Sequence, residues 1–147
     1  MRNERGMFMK RVLCVLVFAC FVLSCAYADN VHEFSEYALV FGSLPPLDSM
    51  SEQDGEYTVY TVKDCKITFK GEESIFVQGN GVDFLAYCMS AIMTFEPDAG
   101  KLKDNAGLLF GNFLLSRGGD MKTWDTAGGL TAMIKPDETE VIFAVGK

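Results

Sequence analysis

The chain is poor in the residues on which many catalytic sites depend. Its 147 residues include one histidine, His32, and one tryptophan, Trp124. A serine or cysteine nucleophile needs a base held within hydrogen-bond reach, whereas His32 lies in a polar N-terminal stretch that we expect to be flexible and exposed. The sequence therefore contains no histidine-based catalytic constellation, and we predict no catalytic residues.

Cysteine is also scarce beyond the N-terminus, where only Cys65 and Cys88 occur. They are far apart in sequence and lack neighbouring histidine or cysteine, unlike the ligands of zinc sites, and no calcium-binding loop motif is present. We therefore predict no metal site and no cofactor. In an oxidising compartment two cysteines are typical of one disulfide, so we predict a bridge between them, with a buried free thiol at Cys88 as the alternative.

The N-terminus has the three parts of a secretory signal peptide. Four basic residues accompany an apolar run over residues 12–23, and the sequence Ala-Tyr-Ala precedes Asp29. The run is shorter than the roughly 20 residues that cross a bilayer. We predict that residues 1–28 are a signal peptide and that the protein is periplasmic or secreted. The alternative is lipidation at Cys25, in a sequence that resembles the lipobox of bacterial lipoproteins, which would tether the protein to a membrane.

Removal of residues 1–28 would leave an acidic protein. That segment carries four basic residues and one acidic residue, so nine basic and nineteen acidic residues remain, with a net charge of −10. Such a surface repels phosphate groups and anionic lipids. We predict no nucleic-acid partner, and membrane contact only if Cys25 is lipidated. The expected partner is a protein or a small ligand in the cell envelope or outside the cell.

Residues 56–147 are predicted to form a single α+β domain, preceded by a flexible arm or tether over residues 29–55. Hydrophobic periodicity predicts strands at 56–62, 66–70 and optionally 74–78, helices at 83–95 and 98–116, and a hairpin of strands at 130–135 and 140–145. The order ββ(β)-αα-ββ describes an antiparallel sheet of four to five strands packed against two helices. Residues 141–145, apolar throughout, are expected to be covered on both faces.

The second predicted helix contains two glycines, Gly107 and Gly111, which lower helix propensity. Two short strands around a Gly-Asn turn are therefore the alternative for this segment. In a helix, the inward positions would be Leu102, Ala106, Leu109 and Phe113. The two glycines, four residues apart, would then lie on one face, where a neighbouring backbone could approach closely.

The stretch "WDTAG" at 124–128 resembles the switch motif with which small GTPases sense a γ-phosphate. In those proteins the glycine N–H meets the phosphate beside a loop of the form G-x-x-x-x-G-K-[ST]. The two Gly-Lys pairs of this chain lack the following serine or threonine. We therefore predict no nucleotide site.

The loop over residues 117–129 nevertheless combines the single tryptophan with cationic, acidic and glycine residues. Loops carry much of the function of small domains, and aromatic side chains often anchor interfaces. We predict the binding residues Trp124, Arg117, Lys122 and Asp125. The alternative is that Trp124 folds back to cover the sheet edge or the core.

The sequence thus favours a small exported acidic protein that acts as a non-catalytic binding or protein-interaction module. One alternative is a small carboxylate-based hydrolase. Glu96, Asp98, Asp120 and Asp125 lie near the ends of predicted elements, and acids such as Asp120 and Asp125 would carry the reaction. Another is a structural or oligomeric envelope subunit in which residues 37–41 or 141–145 pair between chains.

Overall fold

The structure is a computed structural model that describes residues 30–147. The predicted signal peptide, its cleavage point and Cys25 lie outside the described residues. The strands are β1 (Met50–Asp54), β2 (Tyr57–Val62), β3 (Cys65–Lys70), β4 (Ser74–Gly79), β5 (Lys122–Asp125), β6 (Thr131–Asp137) and β7 (Glu140–Gly146). The helices are α1 (residues 30–40), α2 (Gly81–Phe95) and α3 (Leu102–Ser116).

All seven strands belong to one antiparallel sheet with the order β1-β2-β3-β4-β7-β6-β5. Two-residue turns join β2 to β3 and β6 to β7. The two helices α2 and α3 separate the first four strands from the last three in sequence, and β7 returns to pair with β4. The middle of the sheet is therefore formed by two paired strands, β4 and β7, that are distant along the chain.

Side chains of a strand alternate between the two faces of a sheet, and the helices cover the face that carries the buried apolar side chains. Ile67, Val77, Phe143 and Ile134 are cross-strand neighbours in β3, β4, β7 and β6, and all four are fully buried. The intervening side chains on the opposite face are exposed or only partly buried. The core therefore lies between the sheet and the three helices.

The helix layer is held together by aromatic packing beneath α1 and α2. The ring of Phe34 in α1 lies 5.4 Å from that of Phe69 in β3 and 6.0 Å from that of Tyr87 in α2. The hydroxyl of Tyr87 donates a hydrogen bond to the Leu44 carbonyl at 2.7 Å, which fastens the segment after α1 to α2. Burial of these rings explains why α1 belongs to the fold.

The α+β class and the antiparallel sheet are confirmed, but the predicted number of elements is wrong. The described chain has seven strands and three helices, and three of these elements, α1, β1 and β5, were not predicted. Residues 30–54, expected to be a flexible arm, instead contain α1 and the edge strand β1. His32 is exposed as expected, but on α1, with Nε2 3.1 Å from Glu36 Oε1.

Two further details differ from the sequence expectations. Pro136, expected in a turn, lies within β6 opposite Val141, and the turn consists of Glu138 and Thr139. Strand β7 is central, as expected, but Ile142 on its outer face is only partly buried. Residues 141–145 of this strand are apolar throughout although the helices cover only one face of the sheet.

The segment with the two glycines is helical, as predicted. Leu109 is fully buried, and Leu102, Ala106 and Phe113 pack against the core, so the predicted inward face of α3 is confirmed.

Candidate functional site

The stretch that resembles a nucleotide-sensing motif forms a tight loop between β5 and β6. The Thr126 N–H donates to the Leu130 carbonyl at 2.8 Å, and the Gly129 N–H donates to the Thr126 carbonyl at 2.9 Å. The Leu130 N–H also donates to the Thr126 hydroxyl at 2.9 Å. Thr126 therefore organises the loop through both its backbone and its side chain.

The carboxylate of Glu96 lies against this loop and binds it. Glu96 directly follows α2 and is only 7% exposed. Its Oε1 accepts a hydrogen bond from the Thr126 hydroxyl, and its Oε2 accepts one from Asn105 Nδ2 at 2.8 Å. Asn105 lies on α3, and its Oδ1 accepts from the Ala127 N–H at 2.8 Å. One buried carboxylate thus joins the end of α2, the inner side of α3 and the β5–β6 loop.

Glu96 is ionised at neutral pH although it is buried. Burial by itself raises the pKa of a carboxyl group because it disfavours the charged form. Hydrogen bonds from Thr126, Asn105 and the backbone N–H groups of Gly128 and Leu130 outweigh the effect of burial and hold the pKa of Glu96 below its usual range. Hydrogen bonds to this carboxylate are therefore charge-assisted, which makes them stronger than bonds between neutral groups.

This arrangement explains the two glycines of the loop. A Cβ atom at Gly128 would collide with the carboxylate of Glu96. Gly129 has a φ of +87°, in the left-handed region that favours glycine. The loop therefore meets a carboxylate of its own chain where the GTPase motif meets a phosphate.

The four residues predicted for binding do not share one surface. Lys122 and Trp124 point towards the helix side of the sheet, and Asp125 points towards the opposite side. Arg117 follows α3, and its guanidinium carbon lies 5.7 Å from the centre of the Phe113 ring. A single contact surface containing all four side chains is therefore not formed by this chain.

Trp124 packs inward and is half-buried. Its ring centre lies 6.1 Å from that of Phe143 in β7. The indole Nε1 is buried and has no hydrogen-bond partner among the described residues. This position corresponds to the alternative in which Trp124 covers the core, and direct contact of Trp124 with a partner stays a prediction.

The acids near the loop give the hydrolase alternative no support. Asp120 and Asp125 are both exposed, whereas paired catalytic carboxylates need a shared cleft that raises the pKa of one of them. Within residues 30–147, no group of three or more His, Cys, Asp or Glu side chains is placed to hold a metal ion.

Cys65 and Cys88 are buried free thiols in this structure. Burial raises the pKa of both thiols, and raises it well above the usual range for Cys88. Neither is therefore a reactive thiolate at neutral pH. The disulfide between them stays a prediction.

The outer side of α3 exposes a group of apolar side chains that the sequence analysis did not single out. Leu108, Phe110, Leu114 and Leu115 are 37%, 45%, 61% and 65% exposed. At 3.6 residues per turn they cover about 160° of the helix circumference. We call the surface formed by these four side chains and the two glycines between them the α3 outer face.

Gly107 and Gly111 lie at the centre of the α3 outer face. Apart from the adjacent backbone of α3 itself, a Cβ atom at either position would meet no atom within 4 Å in the described part of the chain. Each glycine costs a helix about 1 kcal/mol relative to alanine, and no packing within residues 30–147 accounts for that cost. The close backbone approach that the spacing predicts is therefore not made by these residues.

Arg117 borders a cleft of about 570 Å³ between the start of α2, the end of α3 and the β6–β7 turn. Phe84, Phe113 and Glu138 also line this cleft. The volume falls within the range of roughly 300–1,000 Å³ that is common for small-ligand sites. Arg117 is thus the predicted binding residue that borders a concave site.

We expect Glu96→Gln to lower the free energy of unfolding by about 2–4 kcal/mol at neutral pH, because an amide nitrogen would face groups that all donate hydrogen bonds. The lowered pKa of Glu96 means that the carboxylate stabilises the fold fully above its unfolded pKa of about 4.3 and loses this contribution as the pH falls through its folded pKa. Urea unfolding from pH 7 to pH 3 measures the difference between the variant and the natural chain.

That difference should shrink below about pH 4. Glu33→Gln, at an exposed position on α1, is the matched control and should change stability by less than about 0.5 kcal/mol. A difference that stays constant over the whole pH range would contradict the ionised state of Glu96.

We expect Trp124→Ala to lower the free energy of unfolding by about 2–4 kcal/mol, because it removes the contact with Phe143. Thr123→Ala, at an exposed position on the same strand, should have a small effect. Thermal or urea unfolding measures both. Unchanged stability of Trp124→Ala would show that the ring does not pack on the core and would favour its role as a free anchor.

Comparisons with protein-family models, with curated proteins and with solved structures give no match for this chain. None of the helices within residues 30–147 has the length and apolar character needed to span a membrane. A fold alone does not determine activity, because one fold can carry many unrelated sites.

Proposed function

We propose that this chain is an exported, non-catalytic protein-interaction module of the cell envelope or the extracellular space, and that it binds a partner protein through the α3 outer face. The observation that carries the proposal is the cluster of exposed leucine and phenylalanine side chains on that helix. The export part of the proposal rests on the N-terminal sequence.

The exposed cluster has the composition of an interface centre. Leu108, Phe110, Leu114 and Leu115 are neighbours on one helix and carry no charge. Burial of apolar area contributes about 25 cal/mol per Å², so covering this cluster with a partner is favourable. Contiguous exposed apolar patches on small domains commonly mark interaction sites.

The glycines of α3 are a second reason to place the partner on the α3 outer face. Gly107 and Gly111 lower the stability of the helix, and nothing in the described chain packs on them. A partner helix that crosses α3 at these positions could bring its backbone close, which increases the contacts between the two main chains. Binding through this face would account for glycines that the isolated domain does not need.

In this proposal, three of the binding residues predicted from the sequence lie at the edge of the α3 outer face or beneath it. Arg117 is exposed directly after α3, and Lys122 is partly buried at the start of β5. Strand β5, which carries Trp124, packs against α3. We propose that Arg117 and Lys122 lie at the rim of the interface and that Trp124 supports α3 from within. Asp125 lies on the other side of the sheet.

Of the alternatives, the structural subunit can no longer use residues 141–145, because β7 is paired with β4 on one side and β6 on the other. Residues 37–41 include the end of α1 and do not form a free strand.

Site-specific cross-linking in the native host tests the proposal. A photoreactive amino acid at Leu115 should cross-link to one defined protein, whereas the same group at Leu39, 60% exposed on α1, should not. Gly107→Gln combined with Gly111→Gln should abolish the cross-link, because the added side chains block close approach, and a Cβ atom at either position has open space around it. The absence of any cross-link from Leu115, or the same products from both positions, would contradict the proposal.

A further inference from the structure

The cleft of about 570 Å³ next to the end of α3 carries charges of both signs. Three separate elements contribute to its lining, namely the start of α2, the end of α3 and the β6–β7 turn. Its charged side chains are Arg117, Glu138 and Glu140. None of the four exposed apolar side chains of the α3 outer face lines it, so the cleft is a separate site.

Arg117 and Glu138 carry opposite charges in this lining but do not neutralise each other. Both are exposed, and neither forms an ion pair in the described part of the chain. The Arg117 guanidinium lies over the ring of Phe113, which also lines the cleft. The third charge, Glu140, already accepts a hydrogen bond from Gln78 at 2.5 Å. The cleft therefore offers a ligand a guanidinium and a carboxylate that no described residue neutralises.

The backbone at Glu138 does not favour a glutamate. Glu138 is the first residue of the two-residue turn between β6 and β7 and has a φ of +44°, in the left-handed region where glycine or asparagine is preferred. Turn geometry therefore does not explain a carboxylate at this position. A residue held in an unfavourable backbone conformation is a feature of many ligand sites. Lys63 in the β2–β3 turn has a similar φ of +51° but does not line the cleft, which makes it a matched control.

Apolar side chains in the lining favour a ligand that also has an uncharged part. Phe84 is fully buried, and Leu85, Phe113 and Val141 are partly buried. Transfer of apolar surface from water to such side chains is favourable in proportion to the area removed from water. A ligand with an apolar side chain therefore fits this cleft better than a purely polar one.

The charge of the chain favours a ligand with no net charge. After removal of residues 1–28 the chain has a net charge of −10, which repels anions at long range. A simple cation would leave the Arg117 guanidinium without a partner. A zwitterion with one carboxylate and one ammonium group satisfies both free charges of the cleft. A guanidinium matches a carboxylate especially well, because it donates two parallel hydrogen bonds.

We propose that this cleft binds a zwitterionic amino acid or short peptide with an apolar side chain. Arg117 binds the carboxylate of the ligand, Glu138 binds the ammonium group, and Phe84 and Phe113 contact the apolar side chain. The side chain of Asn80, which also lines the cleft, makes no capping hydrogen bond at the start of α2. The site is independent of the proposed function, because it takes a small ligand and lies outside the α3 outer face.

Titration of the full chain after export with L-leucine and with L-leucyl-L-leucine, followed by NMR, tests the inference. At least one probe should bind saturably with a dissociation constant below about 1 mM. Amide shifts should change most at residues that line the cleft, such as Gly81 and Val141. The probe that binds more tightly shows whether the ligand is an amino acid or a peptide. No saturable binding of either probe up to about 10 mM would overturn the inference.

Variants of the two charged residues assign the ends of the ligand. Glu138→Gly should weaken binding of the better probe at least about tenfold, but should not weaken binding of its N-acetyl form, which has no ammonium group. Arg117→Gln should have the same effect at the other end, with the C-terminal amide of the probe as the insensitive form. A variant that weakens the free and the capped probe equally would overturn the contact assigned to that residue.

A second glycine substitution separates ligand binding from folding. Glycine suits the φ values of Glu138 and Lys63, so Glu138→Gly and Lys63→Gly should each keep or raise the melting temperature. Lys63→Gly should leave binding of both probes unchanged, because Lys63 does not line the cleft. Equal loss of binding in the two variants would overturn the role of the Glu138 carboxylate.

The outcomes separate this inference from the proposed function. A chain that binds neither probe, while Leu115 cross-links to one protein in the native host, would overturn the ligand site and leave the interaction surface in place. A chain that binds a probe in the cleft but gives no cross-link from Leu115 would overturn the interaction surface and leave the ligand site in place.

Discussion

The buried carboxylate of Glu96 is the constraint on which the second half of the fold depends. An ionised carboxylate away from water is strongly unfavourable unless donors surround it. Here the donors come from Asn105 on α3 and from the loop that begins at Thr126, 9 and 30 residues away in sequence. The need to satisfy one charge therefore sets how the end of α2, the inner side of α3 and the β5–β6 loop fit together.

This constraint has a consequence for the surface. Asn105 and Leu109 hold one side of α3 towards the interior, so the side with Gly107 and Gly111 faces outward. The apolar residues that alternate with the inward positions are consequently exposed. The same interactions that close the loop thus present the α3 outer face, which links a buried charge to an exposed helix surface.

Sequence periodicity was sufficient to predict the elements that bury a clear apolar pattern, namely β2, β3, β6, β7, α2 and α3. It failed for β1, because Met50–Asp54 is exposed throughout and is a strand only through its pairing with β2. It also failed for the four residues of β5, which are surrounded by glycine-rich loop sequence. Glu96 stood out in the sequence only as one of several acids near the ends of predicted elements, because its partners are assembled only by the fold. The α3 outer face has a signal in the sequence, because α3 carries apolar residues on its outer side as well as at its inward positions. The sequence does not tell which of the two sides the core covers.

The most direct measurement is an NMR titration of the Glu96 side-chain carboxyl, assigned by comparison with Glu96→Gln. The account requires a pKa below the ordinary glutamate value of about 4.3, together with slow exchange of the Ala127 amide proton that is donated to Asn105. A pKa above the ordinary value, with rapid exchange of that proton, would show that the carboxylate does not hold the loop and α3 together and does not set the outward orientation of α3.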